Sequence, residues 1–413
     1  MMADSRLFVG LLLFAVLFNA VFAACAGTTA SSREVDMITD QVRDIRGLEE
    51  KEAVSFVFVR GREMDVIMRS MMEEDFPRDE VSLMQDVLVI LDFLEEGKDL
   101  HRIILDVYSE QVTGFYDTET RKMLVLSSPQ GLGPMEKVTI AHEYTHALQD
   151  QHFDLNSLAE AARGNSDYSL AVLSLIEGDA VLVQLDYIMG NLTDDEYEQL
   201  IGEPAEADSL DAAPRFIRET LLFPYLAGAE FCAALGSLEA INRAFESPPR
   251  STEQILHPDR YFEGDEPVEI EFPDLENFPS EGWSLMDTDV LGEFVLRLYL
   301  EVFLEAGEAF DAAEGWGGDR YAYLKSEDGK GMLVLHTAWD TARDADEFFE
   351  AYISFAERKA GPGRNLLVNE ADRMHWTADD VSIYLGRNAY EVLVLIGPAE
   401  EVSETVEAFF PDF

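Results

Sequence analysis

The chain has 413 residues, of which 82 are acidic and 30 basic, giving a formal net charge of −52. That field excludes nucleic acid as a partner, because phosphate binding needs a basic surface. It fits a strongly hydrated exterior, as in proteins of salty surroundings or an exported protein kept soluble by self-repulsion, and with 47% hydrophobic residues the chain can still build a large core.

From the N-terminus, Met1 to Arg6 precede an almost unbroken apolar run over 7–24 that ends at Cys25. A run of this length, at the short edge of what spans a bilayer, reads as a signal peptide or a membrane anchor. Ala23 and Ala24 before Cys25 resemble a bacterial lipoprotein processing site, although Phe22 is unusual there. The expectation is an exported chain whose Cys25 carries a lipid and holds it at the cell surface. Ordinary cleavage after Ala26 would instead leave it secreted. Either way Cys232 has no disulfide partner, and its apolar surroundings over 229–235 predict a buried small hydrophobe.

A polar linker, 27–32, leads to helical patterns over 33–108. Residues 111–116 and 123–127 are apolar and β-rich on either side of a polar turn, which predicts a hairpin. If its second strand borders a cleft, a peptide could add to it through backbone hydrogen bonds; a simple core hairpin is the alternative. Helical texture follows to about Leu304, broken by an acidic, proline-bearing surface loop over 262–283. Beyond Gly315, hairpins at 321–324 with 332–337 and at 381–385 with 390–396 alternate with helices at 345–359 and 399–410. The expected fold class is therefore α+β. A signal occupies 1–25, a mainly helical part with a small β-hairpin or sheet covers 26–310, and a C-terminal α+β module of hairpins and helices covers 311–413. His336 and His375 in that module are isolated, which points to structural roles.

Residues 142–146 read His-Glu-Tyr-Thr-His in a chain with only 7 histidines. No Gly or Pro interrupts 137–150, and Val138, Ala141 and Leu148 recur at helical spacing, so a helix is predicted over 135–151. On that helix His142 and His146 face the same way and can grip one metal ion, while Glu143 lies a step round the helix within reach of an adjacent water. This is the donor pattern of a hydrolytic zinc site with Glu143 as general base. An ordinary i,i+4 histidine pair is the alternative, but a merely structural site would not require Glu143.

A catalytic zinc site takes three protein ligands and keeps one position open. His152 lies ten residues beyond His142, but Gln149 stands where a glycine would have to turn the chain back. On a continuing helix His152 is carried too far along the axis. Glu177 is the stronger candidate. It sits in a second helical pattern over 168–189, apolar at Leu170, Leu173, Val181, Leu185 and Ile188, where a carboxylate is costly to bury unless paired or bound to metal. Gly178 beside it costs a helix about 1 kcal/mol relative to Ala and suggests close approach of another backbone, expected to be that of the His142 helix. Asp179 is expected to orient a ligand histidine by accepting its other ring N–H.

Three segments, HEYTHALQDQHFDL (142–155), IEGDA (176–180) and PPRSTEQILHP (248–258), resemble a group of predicted secreted bacterial metallopeptidases. More broadly the chain resembles the gluzincins, zinc peptidases with two histidines from one helix and a glutamate from a later one. The resemblance implies a zincin-like catalytic part, Zn2+ held by His142, His146 and Glu177, Glu143 as general base, and a peptide or protein substrate. The interval between His146 and Glu177 is longer than in the best-known gluzincins. Such sites add a donor for the developing oxyanion, and His257 before Pro258 and Tyr225 after Pro224 are the candidates, although both settings also suit structural residues. A surface-anchored binding or scaffold protein with a structural or inactive metal site is the competing reading.

Overall fold

The computed structural model describes residues 31–111, 114–126, 132–202, 208–275, 282–378 and 381–413, so the apolar run, Cys25 and most of the polar linker lie outside the described residues. The fold is α+β, with two sheets. In the smaller, β1 (Ser55–Val59), β2 (Gly114–Asp117) and β3 (Lys122–Leu126) lie in the order β1-β3-β2, with β1 parallel and β2 antiparallel to β3. The β2–β3 hairpin matches expectation, whereas β1 falls in a region read as helical. Its Phe-Val-Phe-Val core is too short for periodicity to tell strand from helix. The hairpin's second strand, β3, has a neighbour on each side, so it offers no edge to a peptide; the edge strands are β1 and β2.

The larger sheet comprises β4 (Trp283–Asp289), β5 (Trp316–Ser326), β6 (Gly331–Trp339), β7 (Asn365–Asn369), β8 (Arg373–Ala378), β9 (Val381–Asn388) and β10 (Glu391–Gly397). Its order is β4-β5-β6-β10-β9-β8-β7, and all neighbours are antiparallel. Alternation along the strands separates two buried faces. Tyr321, Tyr323, Leu333 and Leu335 pack with Phe348 and Phe355 of the helix Ala342–Ala360. Ala322, Leu324, Met332 and Val334 pack with Val402 and Phe410, in and just after the helix Ala399–Phe409. The first face is continuous with the helical part, through Phe76, Val87, Leu173, Phe216 and Phe231. A separate core joins the smaller sheet to the HEYTH helix through Met123, Val125, Ile140, Tyr144 and Leu148.

Where the helices meet the larger sheet, buried carboxylates accept from backbone N–H groups at helix starts, which have no partner within the helix. Ser166 N–H donates to Asp289 at 2.8 Å, Thr252 N–H to Asp167 at 2.9 Å, and Leu291 and Gly292 N–H to Asp319 at 2.8 Å each. Gly292, at φ +77°, is required there, because a Cβ would overlap Asp167. β4 escaped the sequence pattern because Asp287 and Asp289 are buried and a register shift follows Leu285. Cys232 is buried, as expected. The helix Ser166–Asn191 is long and apolar enough to cross a membrane, but 78% of its apolar window is buried inside the protein.

Candidate metal centre

The HEYTH residues lie on a helix running from Pro134 to Phe153, close to the expected span. Gly133 precedes it in extended conformation, Pro134 occupies a first-turn position that needs no N–H, and Glu136 complements the N-terminal dipole. It ends at Asp154, a residue with φ 56° whose carboxylate accepts from Ser157 N–H to open the next helix, Leu155–Ala162. The chain thus turns without a glycine, but only after His152. The His152 ring donates from Nε2 to the Glu49 carbonyl at 2.8 Å and does not join His142 and His146.

Glu177 lies on the helix Ser166–Asn191. Gly178 does signal a close backbone approach, but not to the His142 helix as expected. A Cβ on Gly178 would lie 2.1 Å from the Gly228 carbonyl carbon, and one on Gly228 would lie 2.1 Å from the Ser174 oxygen. The partner is therefore the helix Arg215–Leu235. One turn before Gly228 on that helix, Tyr225 stacks on His142, with ring centroids 6.1 Å apart and planes inclined by 26°.

Three ligand atoms converge between these helices. His142 Nε2 is 3.1 Å from Glu177 Oε2 and 3.1 Å from His146 Nε2, and His146 Nε2 is 3.5 Å from Glu177 Oε2. The other ring nitrogens set the tautomers. His142 Nδ1 meets Gln184 Oε1 and His146 Nδ1 meets Gln149 Oε1, both at 2.9 Å. Gln149 is oriented by its own amide N–H groups, which donate to the Ile176 carbonyl at 3.0 Å and to Asp179 Oδ2 at 2.7 Å. Both Nδ1 atoms are thus placed to donate, and both Nε2 atoms face Glu177. Glu177 Oε1 is buried without a hydrogen-bond partner. Three ligand atoms on one point, with a buried carboxylate among them, suit a cation, and His142, His146 and Glu177 could hold a metal ion.

The electrostatics show the same demand for positive charge, met on His146 by a proton. Burial works against ionising Glu177, yet the two histidines hold its carboxyl below the ordinary range. Burial also works against protonating His146, and Glu177 and Glu143 outweigh it and raise the ring's pKa. Glu143 is raised by burial first and by Glu177, against the histidines and a hydrogen bond from Tyr116 N–H to its Oε2 at 2.9 Å. Burial, then Glu177 and Glu143, push the Tyr225 phenol well above 10, although the residue keeps 36% of its surface exposed.

Two expected roles fall elsewhere. Asp179 touches neither histidine; its Oδ2 accepts from Gln149 and from Arg46 Nε, each at 2.7 Å, so it acts one residue further back. His257 Nε2 pairs with Glu293 Oε1 at 2.9 Å near the larger sheet, and no contact among the described residues joins it to the cluster. Gln149 and Gln184 were missed, although their spacing carried a signal. Gln149 follows His142 and His146 on the same helical face, and Gln184 follows Glu177 two turns on. Arg46 and the Tyr116 N–H carried none, because the fold brings them from distant segments.

Residues 282–407 match a family described as a domain of unknown function (DUF8575), a stretch that contains the larger sheet and none of the ligand residues. No curated protein matches the chain. Among solved structures, a proposed hydrolase with a novel fold from Chloroflexus aurantiacus is similar at 18% identity, over 58% of this chain and 92% of that one, with a TM-score of 0.35. That likeness is too low to carry fold or activity across.

Proposed function

We propose that the chain is an exported zinc-dependent peptidase. The observation that carries this reading is the convergence of two histidine Nε2 atoms and a buried carboxylate oxygen, with Glu143 alongside. A tetrahedral zinc ion with bonds of about 2.0–2.1 Å has ligand atoms roughly 3.3 Å apart. The separations of 3.1, 3.1 and 3.5 Å fit it, and two imidazoles with one carboxylate suit zinc. Bound there, zinc would polarise a scissile carbonyl and make water acidic enough to ionise near neutrality.

The chain's own groups supply the rest. Tyr116 N–H fixes one oxygen of Glu143. The other takes the proton of the attacking water, helped by a raised affinity for it, and returns it to the leaving amine. Tyr225, protonated at any physiological pH, is the donor for the developing oxyanion. Export is read from 7–24, with Cys25 as the lipid attachment that would hold the enzyme at the membrane.

The test is zinc content and hydrolysis of an unfolded protein by wild type, Glu143→Gln and His152→Ala. Glu143→Gln is expected to keep zinc and lose turnover, and His152→Ala to change neither. Undiminished turnover in Glu143→Gln would sink the mechanism. Stoichiometric zinc without peptide hydrolysis in the wild type would favour the binding or scaffold reading.

A further inference from the structure

Behind His146, a line of buried polar groups leads away from the cleft to a segment remote in sequence. His146 Nδ1–H donates to Gln149 Oε1 at 2.9 Å, Gln149 Nε2 donates to Asp179 Oδ2 at 2.7 Å, and Arg46 Nε donates to the same oxygen at 2.7 Å. Arg46, Gln149 and Asp179 are each 0% exposed. Arg46 is itself held, donating from a terminal nitrogen to Asn242 Oδ1 at 2.8 Å. It closes the helix Ser31–Arg46, which follows the segment expected to carry the anchor. Burying an ion pair is costly, and apolar packing of similar volume is often at least as stable. The pair's place behind His146 points to a role beyond stability.

That role lies in the Gln149 amide, whose two ends have nearly the same shape. Reversed, it would present N–H to His146 Nδ1, which would then accept, and the ring proton would move to Nε2. There it would block the lone pair that faces Glu177 and His142. What prevents reversal is the pair of acceptors on the far side, Ile176 O and Asp179 Oδ2. Asp179 stays in position because Arg46 holds it.

We infer that Arg46 is a positioning residue for the metal centre, fixing the His146 tautomer through Asp179 and Gln149. The inference rests on the metal-centre reading above. It makes metal affinity depend on the helix Ser31–Arg46, which must then stay with the working protein rather than be removed in processing.

The test uses the full chain after removal of the N-terminal signal. Zinc affinity is measured by competition with a chelator, the visible absorption of the cobalt-loaded protein reports ligand geometry, and melting in chelator reports the fold without metal. Gln149→Leu is expected to weaken zinc binding about 10–100-fold, in the range for a lost outer partner, and Arg46→Met roughly tenfold. Both should alter the cobalt spectrum, and Arg46→Lys should recover most of the affinity. If Arg46→Met lowers the metal-free melting temperature but leaves zinc affinity and the cobalt spectrum as in wild type, the arginine is only a structural ion pair and the inference fails. Should Arg46→Met not fold, unchanged zinc affinity in Gln149→Leu overturns it alone. Wild-type protein that binds no zinc would overturn the metal reading itself, and the relay with it.

Discussion

Near its middle, the helix Ser166–Asn191 carries Glu177 into the cluster with His142 and His146; near its start, the same helix meets the carboxylate-rich junction with the larger sheet. By proximity alone the two regions look alike, because at the junction Glu253, Asp265 and Asp340 also bring ligand atoms within 4.8 Å of one another. The difference is whether a cationic side chain is already in place. At the junction Arg260 pairs with Asp265 at 2.8 Å and Asp340 at 2.6 Å and lies 3.9 Å from Glu253, while Asp167, Asp289 and Asp319 accept from backbone N–H groups. At the His142 cluster, no arginine or lysine among the described residues pairs with the ligand carboxylate, whose partners are the two histidines. Donor proximity alone does not make a metal site; the place of the cation must also not be taken by an arginine.

The largest expected effect breaks the comparison directly. Glu177→Ala should lower zinc affinity well beyond the ~10–100-fold typical of an outer partner, whereas Glu253→Ala should leave zinc content unchanged, both by elemental analysis of purified protein. Equal zinc content in the two variants would show that the clusters had been told apart wrongly. Next in size, Glu143→Gln should reduce peptide turnover by roughly 10²–10⁴-fold, the usual contribution of a general base, with no loss of zinc. Together they separate holding the metal from using it.

How much of this was legible in the sequence depended on whether a feature was local. The His142 helix was placed within a few residues, because His142, Glu143 and His146 are fixed by spacing along one helix. Glu177 was found because a carboxylate in an apolar helical run needs a partner. Gly178 announced a close approach but not to what, since a glycine records the absence of a side chain and says nothing of the neighbour, here Gly228. β4 and β1 were hidden for opposite reasons: one carries buried aspartates that break the apolar pattern, the other is an apolar run too short to type. Gln149 was read only as a missing glycine, although its position on the histidine face was visible. Arg46 had no local sign, being joined to Asp179 from 133 residues away.

A smaller effect sharpens the junction's side of the comparison. Arg260→Met leaves Glu253, which is 3% exposed, together with Asp340 and Asp265, without their cation. A loss of about 1–3 kcal/mol in stability is expected, with zinc binding at the His142 cluster unaffected. If Arg260 takes the place of a metal there, calcium should raise the melting temperature of the variant but not of the wild type. A wild type stabilised by calcium to the same extent would mean that Arg260 does not satisfy the cluster.

The gentlest test concerns pH and uses the sign of a single shift. Asp289 is buried, and burial raises its pKa from 3.8 to about 7, despite the hydrogen bonds that Ser166 donates to it. Between those values the folded chain holds a proton that the unfolded chain has released. Folding therefore takes up a proton in that window, and the group's contribution, full below 3.8, is lost as pH rises to about 7. For this one group the slope is roughly 1 kcal/mol per pH unit inside the window and zero outside it. Asp289→Asn keeps an oxygen to accept from Ser166 N–H and removes the titration. Melting in chelator from mild acid to neutrality should then fall less steeply with pH in the variant than in wild type. Parallel pH profiles would mean that Asp289 stays ionised when buried, held by the N–H groups at the helix start alone, and the junction would then satisfy its carboxylates more completely than the contrast with Glu177 requires.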